Sequence, residues 1–335
     1  MLKVLAKRFA WCACCAFTPV GIAAAQNPDL ALSPAERDSI LATYHQTFPI
    51  LGRQAIQRGF QLPLPVGLNV NSFYMNQGIA LSQLGLSVND NPPEPSPWIT
   101  LGEARSRVTS LNIRADLWVL PFLNVYGFGG NAWANTKVPV TEPVSFTSEV
   151  SQTGVYGGIG LTGTIGIRHN WLAGDVNWSW TDLEKLDQPV RGRILSFRLG
   201  KTWKLNARQR VNFWIGTSNQ KLVNETNGTV TLAEAIPPAI ADSLKSRLAN
   251  YQSSDWYQNL TPVQKRLADS LVAGIANANL GATRVNYSLT KAPADPWNML
   301  VGGTYELNRH WHFRGEVGFF GRVQALLVLN YRFGL

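Results

Sequence analysis

From about residue 66 to the C-terminus, apolar and polar side chains alternate with a period of two, and the alternation restarts after each turn. The final stretch shows it most clearly. Its odd positions Trp311, Phe313, Val317, Phe319, Val323, Ala325, Leu327, Leu329, Tyr331 and Phe333 are apolar or aromatic, while its even positions His310, His312, Arg314, Glu316, Arg322, Gln324, Asn330 and Arg332 are polar. Successive side chains of a strand point to opposite faces, so one face seeks hydrocarbon and the other seeks water or charged partners. The same rule sets Leu111, Ile113 and Leu117 against Asn112, Arg114 and Asp116, and Leu195, Phe197 and Leu199 against Ser196 and Arg198. Each segment reaches the roughly 9–11 residues that a tilted strand needs to cross a bilayer.

The connections carry a second regularity. Tight turns fall near Leu120-Pro121, Arg168-His169-Asn170, Asn206-Ala207-Arg208 and Asn308-Arg309, and they alternate with long polar connections over 90–104, 136–149, 182–189 and 222–296. The hairpin at Phe320-Gly321-Arg322 is the one short member of the second set. Short turns on one side and long loops on the other belong to transmembrane barrels with an even strand number. The prediction is an all-β, antiparallel, up-and-down transmembrane barrel of ten strands, or of twelve if residues 282–290 add to the wall.

Two regions break the period. Residues 26–65 form an N-terminal unit with a capping box at Ser33-Pro34-Ala35-Glu36 and apolar residues at helical spacing, so a helix is expected there, either at the periplasmic rim or as a plug in the lumen. The 222–296 connection within the 66–335 barrel carries two helical patterns, one with Ile240, Leu244 and Leu248 and one opening on the capping box Thr261-Pro262-Val263-Gln264. A helical extracellular insertion is expected, with Asp255-Trp256-Tyr257 as an exposed aromatic apex.

Composition changes the picture at the N-terminus. Residues 1–25 carry Lys3, Lys7 and Arg8, an apolar run and the small-residue site Ala23-Ala24-Ala25, the pattern of a cleaved secretory signal peptide. The three cysteines lie inside that segment, so neither a disulfide framework nor a thiolate metal site is expected in the mature chain. Removing three cations reduces the net charge from +9 to +6. That excess is scattered along the chain, which argues against a nucleic-acid partner.

Outward aromatics sort to two levels, with Trp178, Trp180 and Trp297 near the long loops and Trp203, Tyr305, Trp311, Tyr331 and Phe333 near the short turns, as in interfacial girdles. The expected lumen set is Arg114, Asp116, Asp175, Asn177, Arg198, Arg210, Asn212, Glu306, His312, Arg314 and Glu316. Its acids and bases are comparable in number, and each reads either as a paired wall residue or as part of a polar path for a small anionic or zwitterionic solute. A ten-stranded lumen of this kind is narrow or occluded.

With its alternating strands, its leader and the terminal "LNYRF", the chain resembles Gram-negative outer-membrane β-barrel proteins as a class. That resemblance implies residence in the outer membrane, contact with its lipid and lipopolysaccharide, and recognition by the outer-membrane insertion machinery. A porin-like, narrow channel or binding and transport of small solutes is the first functional expectation, without metal, cofactor or catalysis. A structural or surface-interaction barrel with a filled lumen is the second, and a lipid-modifying enzyme or protease the third. The histidines speak against the third, since His169, His310 and His312 map near the short turns and His45 to the N-terminal helix. No nucleophile, histidine and carboxylate can be assembled at one depth.

Overall fold

The computed structural model describes residues 31–88, 92–167, 169–206, 208–222, 225–277 and 280–334. The expected leader and residues Arg168 and Ala207 of the expected turns lie outside them.

Fourteen strands form one sheet. They are β1 (Val66–Val88), β2 (Glu94–Pro95), β3 (Thr100–Leu101), β4 (Ala104–Leu120), β5 (Leu123–Glu142), β6 (Phe146–Ile167), β7 (Asn170–Leu183), β8 (Val190–Lys204), β9 (Arg210–Leu222), β10 (Glu225–Thr231), β11 (Arg284–Pro293), β12 (Trp297–Glu306), β13 (Trp311–Phe319) and β14 (Arg322–Phe333). Ten of them close a ring. β4 to β9 pair in sequence, β9 pairs β12, and β12, β13 and β14 follow. β1 closes it by pairing β14 along one edge and β4 along the other. Closure leaves no open edge within the hydrocarbon, where an unpaired backbone group has no water to bond.

The strands are far from equal. β1, β5 and β6 run 23, 20 and 22 residues, whereas β13 and β14 have 9 and 12. The expected loop over 136–149 is therefore largely strand, with only residues 143–145 between β5 and β6. The long strands continue beyond the membrane, and the polarity of their faces inverts there. On β6 the outward residues Ile167, Ile165, Leu161, Ile159 and Val155 give way to Thr153, Ser151, Glu149 and Thr147, while the inward Thr164 and Thr162 give way to Val150 and Phe146. β5 does the same, with Lys137 outward and Val138 and Val140 inward. On β1 a register shift near Gln83, whose φ is 55°, lets Leu84 and Leu86 join Leu81 on the inner wall.

Residues 282–290 do not make a twelve-stranded barrel. β11 pairs β10 on one side and the upper part of β1 on the other, from Ile79 opposite Pro293 to Val88 opposite Val285. It occupies the space above the short β13–β14 hairpin, which explains why that one outer connection is short.

The insertion contributes α3 (Leu232–Ala235), α4 (Pro238–Arg247), α5 (Asp255–Gln258) and α6 (Pro262–Ala276), and the N-terminal unit contributes α1 (Pro34–Ala42) and α2 (Gly52–Gln57). Capping boxes at Ser33/Glu36 and Thr261/Gln264 start α1 and α6. The N-terminal helix is shorter than its apolar spacing suggests. It ends at Ala42, and the chain turns through Leu51, with φ 66°, into α2. This unit sits at the short-turn mouth, where the Ile50 amide donates to the Val119 carbonyl at 2.8 Å. Among the described residues of this unit, only Gln61, Leu62, Pro63 and Leu64, which follow α2, reach the lumen.

The outer surface carries a continuous apolar belt, in which Ile113, Val155, Ile215, Val323 and Leu327 are each at least 60% exposed. In a soluble protein such a surface would be an aggregation site, whereas in a bilayer it is the solvent match that keeps the fold in place. The belt yields a prediction. Arginine in place of Ile159, outward in the belt, should cost about 2–4 kcal/mol, the cost of arginine at the bilayer midplane. The change Thr147→Arg on the same face of β6, above the inversion, should cost close to nothing. Unfolding by urea in lipid vesicles measures both, and equal costs would place the membrane boundary elsewhere.

Candidate functional site

A cavity of about 1380 Å³ runs inside the barrel from Gln61 and Leu64 at the short-turn end to Leu248 and Ile275 of the helical cap. It has two chemically distinct parts. The part inside the membrane is polar and lined by side-chain networks. The part above it is an apolar vestibule.

Three networks line the lower part, and the third reaches from β8 to β13. Near the short turns, Arg332 donates to Asp116 Oδ1 at 2.9 Å and to the Leu64 carbonyl at 2.8 Å, so it ties the N-terminal segment to the wall. Asn69 and Asn124 donate to the same carboxylate at 2.9 and 2.7 Å, and Asn330 donates to Asn69. In the second network the Arg114 guanidinium lies 3.5 Å from the centre of the Tyr126 ring, and Tyr126 and Thr162 donate to Asp175 at 2.9 and 2.7 Å. The third is centred on Glu316. It accepts from Arg198 Nε at 2.7 Å and one Arg198 Nη at 2.9 Å, from Arg314 at 2.9 Å and from the Trp214 indole at 2.9 Å. Bidentate guanidinium bonds are the geometry that offsets the desolvation of a buried carboxylate. Asn212 donates to Glu306 at 2.9 Å closer to the short turns.

All eleven side chains expected in the lumen line the cavity. Nine of them divide among these networks and the Asn212–Glu306 pair rather than meeting at one centre, and Arg210 and His312 lie beside that pair near the short turns. The balance of charge is not the expected one, however. Among the described residues the cavity is lined by nine cations (Arg114, Arg198, Arg208, Arg210, Lys291, Arg309, Arg314, Arg322, Arg332) and four acids (Asp116, Asp175, Glu306, Glu316). Arg322 and Arg332 share the parity of Gln324 and Asn330, which is the signal that places them inside. The even positions of β14 also include Leu326 and Val328, which face the cavity, so that inner face is not uniformly polar.

Aromatic rings fill part of the lower lumen by lying across inward glycines of the next strand. A Cβ on Gly160 would meet the Tyr126 ring at 2.3 Å, and one on Gly302 would meet the Trp214 ring at 2.6 Å. Gly158 makes room for the Phe128 ring in the same way, with a Cβ there 2.4 Å from Phe128 Cζ.

On the outer face, Trp178, Trp180 and Trp297 are exposed toward the loop end, joined by Trp133, Phe319 and Phe320. Trp203, Trp311 and Tyr331 are exposed toward the short turns, with Tyr305 and Phe333 half-buried beside them. Trp311 packs on Tyr331 with ring centres 4.8 Å apart.

The vestibule is closed by the cap. Val230, Leu232, Ile236, Leu244, Leu248 and Val285 form its buried core, packed against Leu86 of β1 and Phe146 and Val150 of β6. Three attachments pin the cap to surrounding loops. Trp256 stacks on Trp98 of the β1–β4 connection at 5.5 Å, Arg247 donates to the Ser145 carbonyl at 3.0 Å, and Lys185 pairs with Glu234 at 2.6 Å. Of the expected exposed apex only Asp255 is exposed, and its two aromatics are covered. Tyr257 is buried, donating to Asp269 together with Tyr251, and Trp256 is half-covered by Trp98.

The Lys185 ammonium holds the Glu234 carboxyl down at about 2, against an ordinary value of 4.5. A depressed carboxyl stabilises the fold fully above its unfolded value and loses that contribution as pH falls through the folded one. Amide exchange at Leu232–Ala235, corrected for its intrinsic pH dependence, should therefore hold constant from pH 7 to about 4.5 and rise toward about 2. The Lys185→Met variant should move the rise upward in pH.

A second prediction concerns the Glu316 network. Glu316→Leu leaves Arg198 and Arg314 buried without their shared carboxylate, and breaking a buried pair in this way costs about 3–5 kcal/mol. Urea unfolding of the folded barrel in lipid measures it, and a loss below about 1 kcal/mol would show that water already screens the pair.

No protein-family model and no curated protein sequence matches the chain. Solved structures do. The outer-membrane protein OprG of Pseudomonas aeruginosa aligns at 10% identity over 81% of this chain and 98% of its own, with a TM-score of 0.39. The translocator domain of the autotransporter NalP of Neisseria meningitidis aligns at 9% over 91% and 100%, with a TM-score of 0.34. The Ralstonia pickettii toluene transporter TbuX aligns at 10% over 81% and 90%, with a TM-score of 0.28. In architecture, the chain is similar to the outer-membrane β-barrels of Gram-negative bacteria.

Proposed function

We propose that this protein is a non-enzymatic outer-membrane barrel that binds small, largely apolar solutes in its capped vestibule and passes them toward the polar lumen. One observation carries the reading: a chamber lined by apolar side chains lies directly above the membrane and is continuous with the lumen below. Apolar cavities with a few placed polar groups are the usual form of small-molecule sites. The cap would act as a lid, and the three lower networks would set the resistance of the path. Lipid and lipopolysaccharide would surround the apolar belt, and the terminal strand would be the element read by the insertion machinery.

The absence of catalysis is part of the proposal. His169, His310 and His312 stand at the short-turn end, and His45 follows α1, so none of them reaches the vestibule where a solute would sit. A barrel serving only as a scaffold or surface-interaction protein is the competing reading, favoured by the Arg332 and Glu316 networks of the lower lumen.

Binding of an apolar fluorophore such as N-phenylnaphthylamine separates the two. The protein in lipid nanodiscs should show saturable binding at about one site per barrel, above empty discs. Replacing residues 232–282 by a short turn, which spares the β10–β11 pairing, should abolish saturation. A scaffold barrel would show no saturable component in either form.

A further inference from the structure

The nine cations of the cavity are not all neutralised in the same way. Arg332 pairs with Asp116, Arg198 and Arg314 share Glu316, and Arg114 lies on Tyr126. Two cations remain at the level where the polar lumen meets the vestibule. Arg322 is the first residue of β14, opposite Gln77 of β1, and Lys291 lies on β11 opposite Leu81 of the same strand. Neither has a carboxylate partner among the described residues.

Arg322 is only 4% exposed. Its Nε donates to Gln324 Oε1 and one Nη to Ser218 Oγ, both at 2.9 Å, and both acceptors are neutral. The other Nη has no partner at all. Across the strand pair, Gln77 offers only a carboxamide oxygen, itself unbonded. A buried guanidinium without an anion weighs against the fold, because its desolvation is not offset by a paired charge. The chain gives Arg198, Arg314 and Arg332, lower in the lumen, a carboxylate each. At this level it supplies none, and the side chain faces the cavity directly beneath Ile79, Leu81 and Leu289.

From this we infer that the vestibule takes an amphipathic monocarboxylate, with its apolar body among the cap-facing side chains and its carboxylate on Arg322, Lys291 providing a second positive charge above it. The inference rests on the solute-binding reading and specifies its ligand class. Arg322 would act as a binding residue through charge-assisted hydrogen bonds, which are about twice as strong as neutral ones.

Two ligands of equal size test it, 4-propylbenzoate and the neutral 4-propylbenzamide, each used to displace N-phenylnaphthylamine from the full chain in nanodiscs at neutral pH. The benzoate should displace the probe at about tenfold lower concentration, a difference of about 1.4 kcal/mol. Arg322→Met should bring the two within about twofold while leaving the amide where it was. Because that change removes an uncompensated charge, the barrel should remain folded, which resistance to unfolding in cold detergent confirms. If Arg322→Met fails to fold, Lys291→Met takes its place, with a partial loss of the benzoate preference expected. Equal displacement by the two ligands overturns the anion site and leaves solute binding intact. Displacement by neither overturns both. A preference for benzoate that survives unchanged in the Arg322→Met variant also overturns the assignment.

Discussion

Each wall residue must match the medium it faces, and the rest of this molecule follows from that single constraint. Strand geometry fixes that neighbours point to opposite sides, but it does not fix which side is apolar. Inside the bilayer the outer medium is hydrocarbon, so Ile159 and Leu161 point outward and Thr162 inward. Once β6 leaves the bilayer the outer medium is water, and Glu149 and Ser151 take the outer face while Phe146 and Val150 turn to the interior. One strand therefore belongs to two solvent regimes. The lower half behaves as a membrane barrel and the upper half as a soluble domain with an apolar interior.

That division explains why the helical insertion is needed. An apolar inner wall above the membrane would be wet if left open, and the cost would grow with every buried methylene it exposes. Leu232, Ile236, Leu244 and Leu248 cover it from above, and the cap's own apolar faces are covered in turn. The lid is thus a consequence of tall strands rather than an ornament of a long loop. It also leaves the cavity beneath it as the natural place for an apolar guest, since the cap does not fill the vestibule.

How much of this was legible in the sequence differs by element. Period two with alternating connection lengths identified the ring, because membrane strands repeat one pattern in a fixed order. The capping boxes at Ser33 and Thr261 located two helix starts because a hydroxyl and a carboxyl or carboxamide three residues apart satisfy each other's backbone groups. The region 136–149 resembles a loop in sequence because an inverted alternation, interrupted by Pro139 and Pro143, looks polar where outward hydrocarbon is expected. Arg322 and Arg332 were visible by parity, yet their partners come from Ser218 and Asp116, at sequence separations of 104 and 216, and no local spacing reports them. The buried state of Tyr257 depends on Trp98 and Asp269 in the same way.

The count of ten rather than twelve has a physical cause in the shortest hairpin. β13 and β14 stop where Phe319 and Phe320 reach the upper aromatic level, while β1 continues for eleven residues past its last pair with β14, from Gly78 to Val88. That part of β1 would stand as an open edge on one side. β11 pairs with it there, and β10 pairs with β11, so the edge is covered by strands that never enter the membrane. The same arrangement brings Lys291 over Arg322 and sets the floor of the vestibule at the hairpin tip. The strand number in the bilayer and the chemistry at the base of the chamber are therefore two results of one choice, a hairpin that ends at the membrane surface beneath a strand that takes over its neighbour.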